Sequence, residues 1–91
     1  MATFVMFGKY SPEALKGISA SRTQMAADLV KKHGGEIKAG YVLLGERDVV
    51  LVVDLPGNKE ALQVSIALAK ATGVAFTTSP AMTVEEFDKL A

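Results

Sequence analysis

Strongly apolar runs alternate along this chain with longer segments in which apolar and polar residues are mixed. Apolar runs of about four to eight residues are typical of β-strands, whereas an apolar repeat of about three to four residues is typical of amphipathic helices. These patterns predict strands at residues 3–7, 36–44, 49–55 and 74–78, the last with an extension toward residue 82. They also predict a helix at about 22–33, a second helix that starts behind Asn58 and runs to Thr72, and a short C-terminal helix after residue 83.

The ends of the predicted helices carry recognisable capping residues. Ser, Thr and Asn side chains accept hydrogen bonds from the first-turn amides, proline suits the first helical position, and glycine commonly ends a helix. Ser11 and Pro12 begin a short helical turn at 11–15. Ser21-x-x-Gln24 and Asn58 mark the starts of the two main helices, and Gly34 and Gly73 mark their ends. Thr83-x-x-Glu86 marks the start of the C-terminal helix.

The predicted order of elements is β-α-β-β-α-β with an added C-terminal helix. Two right-handed β-α-β connections put both main helices on the same face of a four-stranded antiparallel sheet. The fold class is therefore α+β with the ferredoxin-like arrangement, and we expect the 91 residues to form one domain over 1–91. Pro80 cannot donate to a neighbouring strand, so it should keep the fourth strand at an edge or break it.

The predicted third strand is apolar on both faces, because Val50 and Val52 alternate with Leu51 and Val53. The first strand has the same property. An antiparallel sheet with one face in water commonly alternates apolar and polar residues, so the face without helices needs another cover. The hydrophobic share of 49% is high for a chain of this size and agrees with burial against a partner. We predict a homodimer or higher oligomer formed through the open sheet face.

The stretch GYVLLGERDVVLVVDLP at residues 40–56, with GGEIKAGY before it and TVEEF near the end, resembles the GYD domain family. The resemblance extends over nearly the whole chain. It departs from the family pattern at Arg47, which occupies the position where the family name places a tyrosine. The resemblance implies a ferredoxin-like, oligomer-forming fold of the dimeric α/β-barrel group, and it implies no particular activity.

A second similarity concerns the hairpin with a glycine, an acidic residue, any residue and an aspartate. It is similar to a hairpin in the ligand-binding domains of feast/famine (leucine-responsive) regulators, which bind amino acids at subunit interfaces. The dimeric α/β-barrel group also contains small cofactor-free monooxygenases and isomerases. Fold alone does not choose among these functions.

Composition excludes several classes of function. Ten Lys and Arg balance ten Asp and Glu, so the chain lacks the basic surface that nucleic acid binding needs. One histidine and no cysteine exclude the usual zinc and iron–sulfur sites, and no phosphate-binding glycine loop is present. We therefore expect no metal and no cofactor. The N-terminus lacks a signal peptide and no run approaches the roughly 20 apolar residues of a membrane span, so we expect a soluble, cytoplasmic protein without a membrane partner.

Two residues of the first main helix are candidates for chemistry. Arg22 and His33 fall near the centre of the helical stripe that contains Ala26 and Leu29, so both can point toward the sheet. Arg22 can hold a carboxylate or a phosphate, or simply cover apolar surface with its stem. His33 can exchange a proton near neutral pH, or simply interact with the C-terminal end of the helix.

Four further residues lie outside that helix. Tyr10 and Tyr41 can orient a small ligand through their hydroxyls, although most such tyrosines are core or interface residues. Glu46 and Asp48 can contact a ligand at an oligomer interface, although the simpler interpretation is a solvated turn in which Asp48 bonds nearby amides. The candidate ligand-binding residues are Arg22, Tyr10, Glu46 and Asp48, and the candidate acid–base residues are His33 and Tyr41.

These observations leave three functional hypotheses. The leading one is a non-catalytic module that assembles and binds a small metabolite at a helix–sheet cleft or subunit interface. The alternative is a small cofactor-independent oxygenase or isomerase, which requires His33 or Tyr41 to meet Arg22 in one cavity. The third is a purely structural assembly subunit, which needs no cavity.

Overall fold

Four strands and four helices make up the computed structural model, which describes all 91 residues. The strands are β1 (Ala2–Lys9), β2 (Glu36–Val42), β3 (Val49–Leu55) and β4 (Ala75–Ala81), and the helices are α1 (Pro12–Lys16), α2 (Ala20–Lys32), α3 (Asn58–Thr72) and α4 (Val84–Leu90). The sheet order is β2-β3-β1-β4, and every neighbouring pair is antiparallel. The predicted ferredoxin-like α+β fold is confirmed.

The hydrophobic core lies between one face of the sheet and the two long helices. Alternate residues of the two central strands point to this face, because side chains alternate along a strand. They meet the apolar stripes of α2 and α3. The core residues are Phe4 and Met6 of β1, Val53 and Leu55 of β3, Val30 of α2, and Ala61, Val64 and Leu68 of α3.

The opposite face of the sheet carries no packed helix. Its centre consists of two cross-strand pairs, Val5 with Val52 and Phe7 with Val50. At one margin Thr3 Oγ1 donates to Asp54 Oδ1 over 2.9 Å. We call this surface the open face. The prediction that the central strands are apolar on both faces is therefore correct.

A β-bulge in β2 changes the predicted orientation of that strand. The irregularity lies between Ile37 and Ala39. Ile37 pairs with Val53 on the core face, whereas Tyr41 pairs with Val50 on the open face. The strict alternation of a regular strand over residues 36–44 predicts that Ile37 and Tyr41 share a face. This prediction is wrong, because a bulge adds one residue to one strand and reverses the alternation beyond it. The strand also ends at Val42, earlier than predicted.

The starts of the two long helices differ from the predicted ones. Helix α2 begins at Ala20, and the Ser19 hydroxyl accepts from the Arg22 amide over 3.1 Å. Ser21 already lies inside the helix, so the predicted Ser21 cap is wrong. Asn58 is likewise the first helical residue and not the cap of α3. Gly57 occupies the capping position in an extended conformation and has no side chain to bond.

The other helix ends are as predicted. Ser11 caps α1 through the Ala14 amide, and Gly34 and Gly73 have positive φ values of 84° and 74° after α2 and α3. The hydroxyl of Thr83 accepts from the Glu86 amide at the start of α4.

Helix α4 contains no buried residue. Strand β4, which contains Pro80, lies at an edge of the sheet beside β1, where a missing N–H is tolerated. No helix is both long enough and apolar enough to cross a bilayer.

Candidate functional site

A cleft of about 420 Å³ opens between the two long helices and the core face of the sheet. Apolar side chains form most of its walls, and a few polar groups stand at its edge. The lining residues come from helices α2 and α3, from strands β2, β3 and β4, and from the segments next to them. They are Tyr10, Arg22, Thr23, Ala26, Ala27, Ile37, Gly40, Tyr41, Val42, Val49, Leu51, Leu68, Thr72, Val74 and Phe76.

Small residues leave this space unfilled. Helix α2 presents Ala26 and Ala27 to the cleft, and β2 contributes Gly40. A Cβ atom at Gly40 would lie 3.1 Å from Leu51 Cδ2, so the glycine also leaves Leu51 room to form part of the wall. Protein interiors contain few voids larger than a water molecule. A cleft of this size with apolar walls is therefore suited to an occupant.

Arg22 reaches the cleft from the first turn of α2. Its Nη1 donates to the Ala14 carbonyl oxygen of α1. Its Cζ lies 5.7 Å from the centre of the Tyr10 ring, within range of a cation–π contact. Arg22 and Tyr10, two of the predicted ligand-binding residues, are thus brought together at the same cleft.

Tyr41 stands at the rim of the cleft. It is 65% exposed, and its pairing with Val50 orients its side chain to the open face, since paired residues of an antiparallel sheet share a face.

His33 lies outside the cleft. It follows the last residue of α2, and its Nδ1 donates to the Leu29 carbonyl oxygen over 3.0 Å. His33 therefore does not share the cleft with Arg22, because the helix ends before His33 and its ring bonds back to the last turn. No group of three or more His, Asp or Glu side chains is arranged to hold a metal ion.

Asp48 connects the β2–β3 loop to the end of β1. Its Oδ2 accepts from the Tyr10 amide over 2.8 Å, its own amide donates to the Gly8 carbonyl oxygen over 2.9 Å, and its carbonyl oxygen accepts from the Leu43 amide over 2.8 Å. The carboxylate thus bonds an amide, but not a nearby one as the simpler sequence interpretation expected. The Tyr10 amide is 38 positions away in the chain.

Glu46 and Arg47 lie on a second, smaller cavity of about 250 Å³. The Glu46 carbonyl oxygen accepts from Lys9 Nζ over 3.0 Å, while its carboxylate has no protein partner. Arg47 Cζ lies 5.5 Å from the centre of the Phe7 ring, so the residue at the motif tyrosine position covers part of the open face. The predicted ligand-binding residues are therefore divided, with Tyr10 and Arg22 at the cleft and Glu46 on the smaller cavity.

Sequence reasoning did not identify the cleft residues Ala27, Gly40 and Thr72. Small and weakly polar residues carry little chemical signal. The available sign was that α2 has alanines on the stripe where a well-packed helix would carry larger side chains.

A four-stranded antiparallel sheet with two helices on one face and a cleft beneath them defines a ferredoxin-like α+β domain. The sequence profile of the GYD domain family matches residues 4–91. The chain belongs to the GYD domain family, which confirms the resemblance noted in the sequence. The comparison with curated proteins finds no match.

One solved structure with a similar fold is the crystal structure of the Mycobacterium tuberculosis leucine response regulatory protein, LrpA. The TM-score is 0.60 and the sequence identity is 11%. The match covers 91% of this chain and 51% of that chain, so this chain spans about half the length of the regulator. At this identity the likeness shows the fold alone.

Proposed function

We propose that this protein is a non-catalytic module that assembles with copies of itself and binds a small metabolite in the helix–sheet cleft. The observation that carries the proposal is the cleft of about 420 Å³, with apolar walls and with Arg22 and Tyr10 at its edge. Small-molecule sites commonly combine a few polar groups with apolar walls at volumes of roughly 300–1,000 Å³.

Assembly is supported by the composition of the open face. Its centre is apolar, with Val5, Phe7 and Val52, and Thr3 and Asp54 form a polar margin. An apolar centre with a polar rim is the usual arrangement of a protein–protein interface. A second copy of the chain is the simplest cover. In a symmetric dimer the two identical open faces can pack together, with apolar centre against apolar centre.

The enzyme alternative is not supported by the positions of its proposed groups. It required His33 or Tyr41 to act beside Arg22. The His33 ring is bonded to Leu29, and Tyr41 points to the open face. No hydrogen bond joins either candidate proton donor to the guanidinium.

Native mass spectrometry of the freshly purified protein tests both halves of the proposal. We expect an oligomer with a reproducible extra mass. Ala27→Phe should fill the cleft and remove the extra mass while the subunit number stays the same. Val52→Asp should give monomers, because an unpaired carboxylate would be buried at the centre of the open face.

Leu62→Asp is the matched control for assembly. Leu62 is an exposed apolar residue on α3, away from the open face, so this variant should remain an oligomer. Monomers from Leu62→Asp and oligomers from Val52→Asp would assign assembly to α3 and contradict the proposal. A wild-type monomer would contradict assembly, and an oligomer without extra mass would favour the purely structural hypothesis.

A further inference from the structure

Arg22 is a charged group without a charged partner. It is half-buried, and it is the one formally charged residue that lines the cleft. No carboxylate of the chain lies within ion-pair distance of its guanidinium. Partial removal of a charge from water costs free energy unless an opposite charge compensates it. A ligand that brings a negative charge would supply that compensation.

The protein holds the guanidinium in position through two contacts. The Ala14 carbonyl oxygen accepts one hydrogen bond and the Tyr10 ring lies against the guanidinium. A Cβ atom at Gly17 would lie 3.0 Å from Nη1, so the glycine leaves space for the group. A guanidinium has five N–H donors, and the chain uses one of them. The remaining donors are available to a ligand in a fixed orientation.

The other hydroxyl groups of the cleft are largely engaged. Thr23 and Thr72 donate to backbone carbonyl oxygens of the preceding turn. The Tyr10 hydroxyl forms no hydrogen bond within the chain. Tyr10 bonds Asp48 through its backbone amide. Arg22 and the Tyr10 hydroxyl, which lie together, are therefore free to bind a ligand, as is the Tyr41 hydroxyl at the rim.

We propose that the cleft binds an apolar monocarboxylate. Its carboxylate would accept hydrogen bonds from Arg22 and Tyr10, and its hydrocarbon body would lie against the walls formed by Ile37, Leu51 and Ala27. The inference rests on the proposed function, because it assumes that the cleft is the binding site, and it adds the chemical class of the ligand.

The charged groups of the cleft favour a monocarboxylate over other classes of ligand. One guanidinium matches one carboxylate, which it can bind through two parallel hydrogen bonds. A phosphate dianion brings a second negative charge, and the cleft has no second cation. An amino acid brings an ammonium group, and no Asp or Glu lines the cleft to receive it. A neutral apolar molecule leaves Arg22 unpaired.

Four probes separate these possibilities in titrations of the full chain by calorimetry and by NMR. They are 3-phenylpropionate, its uncharged amide 3-phenylpropionamide, phenylalanine, which has the same skeleton with an ammonium group, and inorganic phosphate. We expect 3-phenylpropionate to bind at least about tenfold more tightly than each of the others, because a hydrogen bond to a charged group is worth more than a neutral one. Equal affinities for the acid and the amide would overturn the inference.

Three variants test whether Arg22 causes the preference for the acid and whether the compounds bind in the cleft. Arg22→Met keeps an apolar stem of similar length and should remove the preference for the acid while amide binding stays. Lys32→Met removes the same charge from the exposed end of α2 and should leave the preference unchanged. Ala27→Phe should abolish binding of both compounds, with Ala27→Leu as the milder replacement if the phenylalanine variant does not fold.

The outcomes separate this inference from the function on which it rests. If acid and amide bind equally and Ala27→Phe abolishes both, cleft binding stands and the monocarboxylate class is wrong. If the acid binds and Ala27→Phe has no effect, the site is elsewhere, and both proposals fail. If Lys32→Met removes the preference as strongly as Arg22→Met does, the preference reflects overall charge and the role of Arg22 is wrong.

Discussion

A single carboxylate, that of Asp48, joins the β2–β3 loop to the end of β1. The sequence indicated that this aspartate would bond amides, because Asp commonly does so in turns. It did not indicate that the amide belongs to Tyr10, 38 positions away, since local turn chemistry contains no information about distant partners. The same limit applies to Arg22, whose side chain bonds the Ala14 carbonyl oxygen of another helix.

Asp48→Ala should lower the free energy of unfolding by about 1–3 kcal/mol, because it leaves the half-buried Tyr10 amide without its acceptor. Urea denaturation followed by circular dichroism measures this change. Asp48→Asn should lose less, since its side-chain oxygen can still accept.

Glu46→Ala is the matched control for this prediction. It removes a neighbouring carboxylate that has no protein partner and keeps the backbone oxygen that accepts from Lys9. We expect a change within about 0.5 kcal/mol, as for most exposed positions. Equal losses at Asp48 and Glu46 would mean that general charge balance matters, and not the bond to Tyr10.

At the scale of the element, the apolar pattern predicted which segments form strands and helices, but it did not predict their irregularities. The β2 bulge is invisible in the pattern, because Ile37, Ala39 and Tyr41 alternate as they would in a regular strand. Tertiary packing against β3 decides their orientation. The start of α2 was missed for a different reason, since Ser19 and Ser21 each precede a plausible first turn.

Ser19→Ala should lower the free energy of unfolding by about 1 kcal/mol, because the Arg22 amide loses its capping acceptor. Ser21→Ala lies inside the helix and should be neutral or slightly stabilising, since alanine is the better helix former. Thermal unfolding of both variants, measured in parallel, gives the comparison. A larger loss at Ser21 than at Ser19 would contradict the observed start of α2.

At the scale of the whole molecule, the fold leaves apolar surface in several places. They include the open face, the Leu62 and Ile66 stripe of α3, the exposed side of α4 that includes Phe87, and the segment with Leu15 and Ile18. The open face was anticipated from the doubly apolar strands. The cleft was anticipated only in part, because Arg22 and Tyr10 carry recognisable chemistry whereas the alanines and the glycine that create the space do not.

Assembly should make stability depend on protein concentration, because association stabilises the folded state by mass action. If unfolding and dissociation of a dimer are coupled, each tenfold rise in concentration should add about 1.4 kcal/mol to the apparent stability per dimer. Urea midpoints at several concentrations test this.

The control for this prediction is Val52→Asp, whose midpoint should be independent of concentration. If the wild-type midpoint did not change with protein concentration, association would add nothing to the stability of the folded state. That result would contradict assembly through the open face.

The doubly apolar character of β3 has a consequence for strand alignment. In a strand with one polar face, a slip by one residue exposes apolar side chains and buries polar ones, which strongly disfavours the error. Between Val49 and Val53 such a slip would exchange one apolar residue for another and cost little. Both ends of the strand, however, carry bonded carboxylates, Asp54 with Thr3 and Asp48 with the Tyr10 amide. These two carboxylates therefore help to specify the alignment of β3, which the apolar pattern between them specifies only weakly.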